Sequence, residues 1–224
     1  MNYATIKNCD IANGPGVRVS LFVSGCTHHC KGCFNEVAWD FDYGQPFTEE
    51  TEKLLLDMMK PAYIHGLTLL GGEPFEPQNQ GPIVAFLRKL KEAYPEKGVW
   101  AFSGYTYDKI ISGTLGDPEI TREYLSYLDV LVDGPFIEEQ KNLALRFRGS
   151  ENQRLIDMPA TLKEGKSSYQ QKVPVLYYIP SMIMAYSIVM IITVICLTKL
   201  LSNTLINPMV RLAHCSRKIA RNDF

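Results

Sequence analysis

An α/β fold on a parallel sheet, arranged as a partial and open β/α barrel, is what residues 1–162 predict. Three observations carry this. Short apolar strand patterns alternate with helical ones, each strand pattern ends on a glycine-rich or polar turn, and the stretch is too short for a closed barrel. A closed eight-stranded barrel needs roughly 250 residues. Strands alternating with helices imply βαβ units, whose ligand site lies at the carboxyl ends of the strands.

The elements follow in order. Val17–Val23 (VRVSLFV) reads as a strand and leads straight into SGCTHHCKGCFN, residues 24–35. The spacing predicts a helix over Glu49–Met59, with Thr48 as N-cap and Glu49 and Glu50 in the first turn. Leu67–Leu70 (LTLL) runs into Gly71-Gly72-Glu73-Pro74. A second helix is expected from about Pro82 to Ala93, where Ile83, Phe86, Leu87 and Leu90 share one face. Val99–Phe102 ends on Ser103-Gly104-Tyr105, and Asp129–Val132 ends on Asp133-Gly134-Pro135. All the unusual motifs fall at strand ends, which argues for one composite site.

Charge and composition narrow the function. Lys and Arg number 23 against 24 Asp and Glu, a formal net charge of -1 with no basic face, so nucleic acid is not an expected partner. The N-terminal MNYATIKNCDIANGPG has neither the apolar core nor the cleavage site of a secretory signal. Residues 1–162 are therefore expected in a reducing cytoplasm, where clustered cysteines bind metal or catalyse rather than pair.

The chain changes character after that. Residues 163–173 read as a polar linker, and 174–206 as a single transmembrane helix around the uncharged run Val175–Leu197. At ~1.5 Å per residue that run exceeds a hydrocarbon thickness of roughly 30 Å. Tyr177 and Tyr178 suit the aromatic belt at one interface. Residues 207–224, with Pro208 before Val210, Ala213 and Ile219, resemble the start of a HAMP linker of sensor histidine kinases, cut short as a short helical tail. Lys199, Arg211, Arg217, Lys218 and Arg221 favour a cytoplasmic C-terminus, which conflicts with a cytoplasmic first domain. The tail is thus expected to be a fused fragment, able to anchor the chain in a membrane but foreign to the first domain's activity.

Cys26, Cys30 and Cys33 have the spacing C-x3-C-x2-C on a loop directly after a strand. Structural zinc wants four ligands, and His28 or His29 could complete that set. An iron–sulfur cube also usually takes four thiolates, and with three it keeps one iron open to a small molecule. The residues alone leave both readings standing. Cys9, Cys196 and Cys215 are scattered and suggest no disulfide framework.

Cys26-x3-Cys30-x2-Cys33 together with Gly71-Gly72-Glu73-Pro74 resembles the radical S-adenosylmethionine enzymes. NGPGVR (13–18), LFVSGC (21–26), QPF (45–47), GGEP, FSGY (102–105), LVDGPF (131–136) and RFRGSENQR (146–154) occur in that order. Over residues 1–162 the set is similar to the activating proteins of anaerobic ribonucleoside-triphosphate reductase. Gly32 stands before the third cysteine, where the wider superfamily has an aromatic, and Phe34 follows it. The activating-protein branch shares this feature.

The resemblance implies a radical-SAM fold and an oxidoreductase that activates a glycyl-radical enzyme. Cys26, Cys30 and Cys33 would hold a [4Fe–4S] cluster whose open iron chelates S-adenosyl-L-methionine. Gly71 and Gly72 would allow close approach of that cofactor, and Glu73 would accept from its amino group. The backbone of Gly32, Cys33 and Phe34 would meet the adenine, with Phe34 stacking on it. Ser103 and Asp133, at strand ends, are read as further cofactor contacts. Cleavage of the cofactor would produce a 5′-deoxyadenosyl radical and then a glycyl radical on the reductase, with a one-electron donor such as a flavodoxin. His28 and His29 read as loop residues, and Arg148 and Arg154 as surface charges or as a grip on the partner. The competing readings are another radical S-adenosylmethionine enzyme, a zinc-stabilised binding module, and a membrane sensor.

Overall fold

One seven-stranded sheet organises the protein, whose computed structural model describes residues 1–165. Its strands are β1 (Asn2–Asp10), β2 (Val17–Val23), β3 (Gln45–Pro46), β4 (Ile64–Gly71), β5 (Gly98–Phe102), β6 (Val130–Asp133) and β7 (Arg154–Asp157). They lie in the order β3-β1-β2-β4-β5-β6-β7, an open sheet with two ends. β2, β4, β5 and β6 run parallel. The flanking strands β1, β3 and β7 pair antiparallel. The sheet is therefore mixed, where the sequence predicted a parallel one. The parallel strands are near-continuous apolar runs because both faces are covered. β1 is half-exposed and largely polar, so it carries no such signal.

The helices are α1 (Glu49–Met59), α2 (Pro77–Ala93), α3 (Tyr107–Ile111), α4 (Pro118–Ser126) and α5 (Met158–Glu164). α1 has the predicted bounds and cap. α2 starts five residues before the expected Pro82, at Pro77. Its first turn is held by polar contacts, not by an apolar stripe. Asn79 Nδ2 donates to Ser24 O and Glu73 O, and Gln80 Nε2 donates to Phe75 O and Leu115 O. Pro77 suits the first helical position because its missing N–H would have had no partner there.

Val19, Leu21 and Val23 on β2, Leu67 and Leu69 on β4, and Val99 and Ala101 on β5 are buried in one core. Ile83, Phe86, Leu87 and Leu90 of α2 belong to the same cluster. Alternate strand residues point to one face, and the helix presents its apolar stripe to them. Full burial of each large side chain stabilises by about 1.5–3 kcal/mol.

Two buried charges tie the sheet together away from that core. Arg18 is buried, donating from Nε to Thr68 Oγ1 at 2.7 Å and from Nη2 to Leu67 O and Gly98 O. It thus links β2, β4 and β5. Asp133 is fully buried at the end of β6. Arg154, its register partner on β7, grips it through Nε at 2.8 Å and through Nη2. The start of α3 adds Tyr107 N–H at 2.6 Å to the same carboxylate.

The expected transmembrane helix (174–206) and HAMP-like segment (207–224) lie outside the described residues. Among the described residues, no helix is long and apolar enough to cross a membrane.

Two outcomes follow. Arg154→Ala would leave Asp133 buried with one donor, so denaturant unfolding should show a loss of about 3 kcal/mol, near the lower end for broken buried pairs. A chain ended at Gly165 should unfold as cooperatively as the full chain. One ended at Asp157 sheds the buried Met158 and should lose about 2–5 kcal/mol. Equal stability of the two truncated chains would mean that α5 is not part of the core.

Candidate metal centre

The loop after β2 carries the cysteines, and the chain's own backbone fixes where it goes. Gly25 N–H donates to Ala38 O at 2.9 Å and Cys26 N–H to Trp39 O at 3.1 Å, so the loop folds back on a short 3-10 turn. Cys33 N–H closes a tight turn on Cys30 O at 3.1 Å. Beside it, Gly72 N–H donates to Val23 O at 2.7 Å and Glu73 N–H to Gly25 O at 2.8 Å. The turn after β4 is thus clamped to the turn after β2. This clamp explains the glycine pair. A Cβ on Gly71 would sit 2.7 Å from the Phe22 backbone, and one on Gly72 2.5 Å from Gly25 O. The sequence reading had the glycines make room for a cofactor; here they also make room for the neighbouring backbone.

A cavity of about 560 Å³ opens at these carboxyl ends. Cys26, Cys30, Cys33, Gly32, Phe34, Gly71, Gly72, Glu73 and Ser103 all border it. Eight predicted cofactor or cluster positions therefore share one wall system with Ser103. Phe34 is 85% exposed at the mouth. Asp133 does not border the cavity, although the next residue, Gly134, does. Its carboxylate is taken by Arg154 and Tyr107, so Asp133 shapes the wall from behind. Arg154 is accordingly a structural partner of Asp133. Arg148 borders the cavity and donates to Gln153 O at 2.5 Å.

Each sulfur is met by a backbone N–H. Asn35 N–H donates to Cys33 Sγ at 3.4 Å, while His28 and Phe136 supply backbone donors to Cys26 and Cys30. Such donors favour thiolate sulfur. Against them, burial pushes the Cys26 thiol up to about 12, with the Glu73 and Glu76 carboxylates and Cys30 adding to the rise. Burial raises Cys30 as well. Without metal, these groups are held as thiols.

Glu73 is the centre of a polar network. Oε1 accepts from Phe75 N at 2.8 Å and Ser103 Oγ at 2.9 Å. Oε2 accepts from Gly104 N at 2.7 Å and lies 2.9 Å from His28 Nε2. Burial disfavours the charged imidazole of His28, but the Glu73 carboxylate outweighs it and the pKa of His28 is raised. Behind this group Glu76 accepts from Thr27 N at 2.9 Å and Thr27 Oγ1 at 2.6 Å, and from Tyr105 OH at 3.3 Å. The sequence reading took His28 as a loop residue or the fourth ligand of a zinc site, and passed over Glu76. Only its place in the Thr27-His28-His29 stretch between two cysteines marked His28; nothing local marked Glu76.

The donor set bears on which metal group fits. His28 Nε2 is engaged by Glu73, and His29 packs edge-on against Trp39 with ring centroids 4.6 Å apart. Among the described residues, no three His, Cys, Asp or Glu side chains converge closely enough to hold one ion. Three thiols spread around a roomy cavity, each with an amide donor, fit a cluster in which every thiolate has its own iron.

Known proteins agree with this chemistry. Residues 12–156 match the profile of a family described as a 4Fe-4S single cluster domain. The anaerobic ribonucleoside-triphosphate reductase-activating protein of Pasteurella multocida (strain Pm70) is 42% identical over 155 residues, covering 68% of this chain and 95% of that protein. The protein of the same name from Enterobacteria phage T4 is 43% identical over 157 residues, 69% of this chain and 93% of that one. The one from Escherichia coli (strain K12) is 37% identical over 155 residues, 68% and 96%. This chain belongs to the family of anaerobic ribonucleoside-triphosphate reductase-activating proteins.

Proposed function

We propose that this chain activates an anaerobic ribonucleoside-triphosphate reductase, using S-adenosylmethionine and a [4Fe–4S] cluster held by Cys26, Cys30 and Cys33. The observation that carries the reading is the shared cavity: three amide-supported thiols face a Gly-Gly-Glu wall at the carboxyl ends of parallel strands. When bound, the cluster supplies the electron that cleaves S-adenosylmethionine and so leads to a glycyl radical on the reductase. The fold serving this is a partial radical-SAM barrel opened at its antiparallel edges.

The chain's own residues bind and orient. Gly71 and Gly72 bring the turn after β4 against the cysteine loop and leave its backbone bare toward the cavity. Glu73, fixed by Ser103 and two backbone amides, is the acceptor for the cofactor's amino group. Phe34 at the mouth offers an aromatic face for adenine. The open mouth admits a segment of the protein substrate. A small one-electron carrier such as a flavodoxin is the proposed donor. The proposed site lies wholly within residues 1–165, and membrane insertion by the tail is not required for it.

The test is anaerobic reconstitution with iron and sulfide, reduction, and assay of 5′-deoxyadenosine with and without the reductase. Wild type should yield 5′-deoxyadenosine and a glycyl radical signal. Cys26→Ala, Cys30→Ala and Cys33→Ala should each abolish both. A colourless protein holding one zinc ion would exclude this function.

Loading should also depend on pH. Iron takes thiolate, Cys26 is protonated up to about 12, and binding therefore releases its proton. Iron affinity should rise from pH 7.0 to pH 8.5, by up to about tenfold per pH unit for each proton released. Competition against a chelator of known pH dependence measures this, and a flat profile would contradict the buried thiol.

A further inference from the structure

Glu73 is assigned above to the amino group of a bound cofactor, yet its side chain is 1% exposed. Its two oxygens already have four partners: Phe75 N and Ser103 Oγ on Oε1, Gly104 N and His28 Nε2 on Oε2. A carboxylate offers about four lone-pair directions. A ligand N–H can therefore reach Glu73 only by replacing a donor already there.

Three of the four are fixed. Phe75 N and Gly104 N are main-chain groups in the turns after β4 and β5. Ser103 is buried, and its hydroxyl also accepts from Tyr105 N at 3.0 Å. His28 differs from them. It reaches in from the cysteine loop, its side chain is 16% exposed, and it borders the cavity. Its ring rests on the Tyr105 ring, with centroids 4.2 Å apart, and against Gly104, where a Cβ would lie 2.6 Å away. The His28 ring can leave by rotation about its own side-chain bonds, whereas a backbone amide cannot leave its turn.

We propose that His28 is a positioning residue: it occupies Glu73 Oε2 until the ligand's amino group takes that place. His28 thereby sets the affinity and selectivity of the site for ligands that carry an amino group. The exchange swaps one N–H donor for another and changes no covalent bond. Nε2 carries the proton, since a bare ring nitrogen would face a carboxylate oxygen without a hydrogen between them. This inference rests on the S-adenosylmethionine reading of the cavity.

The experiment is anaerobic equilibrium dialysis of the cluster-loaded full chain. It compares S-adenosylmethionine with 5′-methylthioadenosine, which lacks the amino-acid arm. His28→Phe keeps a ring against Tyr105 and Gly104 but removes the donor. It should bind S-adenosylmethionine about tenfold more tightly, the worth of roughly one displaced hydrogen bond, and 5′-methylthioadenosine as wild type does. His28→Gln restores an N–H and should return to the wild-type affinity. His28→Leu serves as a second donor-free variant should the Phe protein lose its circular dichroism. Unchanged or weaker S-adenosylmethionine binding by a folded donor-free variant overturns the proposal, as does a Gln protein that behaves like the Phe one. If the wild-type protein binds no S-adenosylmethionine, the reading of the cavity itself falls, and this inference with it.

Discussion

The turns that follow three of the parallel strands meet at one buried carboxylate, that of Glu73. It receives the turn after its own strand through Phe75 N, the turn after β5 through Ser103 and Gly104, and the cysteine loop through His28. Hydrogen bonds to a charged acceptor are roughly twice as strong as neutral ones. Losing that acceptor would leave several buried donors without a partner, each costing about 1–3 kcal/mol. The cavity keeps its shape because this one anion sits where the strands stop. The glycine clamp sets the same arrangement from the other side, since Gly72 and Glu73 N–H groups bond straight to the β2 turn.

Below that level the protein relies on apolar packing and on charges placed at its margins. The core lies between the sheet and the helices, α2 contributing most, with Leu55 and Met59 of α1, Tyr124 and Leu125 of α4 and Met158 of α5 in the same cluster. No cysteine other than Cys26 is buried among the described residues. Arg18 braces β2, β4 and β5, and stands 5.7 Å over the Trp100 ring. The Asp133–Arg154 pair joins the last parallel strand to the antiparallel β7. These contacts hold the walls still while the loops at the strand ends carry the chemistry. This division suits α/β folds in general.

The thiols show a tension between folding and metal binding. Burial keeps Cys26 protonated in the metal-free protein, while the amides around the sulfurs suit the charged form that a metal would take. A site of this kind is stabilised by the group it is built to hold, because loading replaces a buried thiol with a shared, neutralised charge. Conversely, the crowding of Glu73 and Glu76 near Cys26 makes the empty thiolate costly.

Periodicity and spacing determined much of this molecule without help from the structure. The strand β2 and the helix α1 have the predicted residues because continuous apolar runs and an N-cap are local signals. The cysteine spacing and Gly-Gly-Glu-Pro are local signals of the same kind, and the residues they single out border one cavity. The fold's other half was set only in three dimensions. β1 and β7 joined antiparallel on either side of the parallel strands because their short or half-buried patterns depend on a partner strand. α2 gained its first turn from Asn79 and Gln80, whose bonds reach carbonyls up to 55 residues away. Asp133 looked like a ligand contact and proved to be Arg154's counter-charge; His28 looked like loop filler and came to rest on Glu73. Both outcomes turn on which side chain meets which at the strand ends, and that distance is fixed by packing rather than by sequence neighbours.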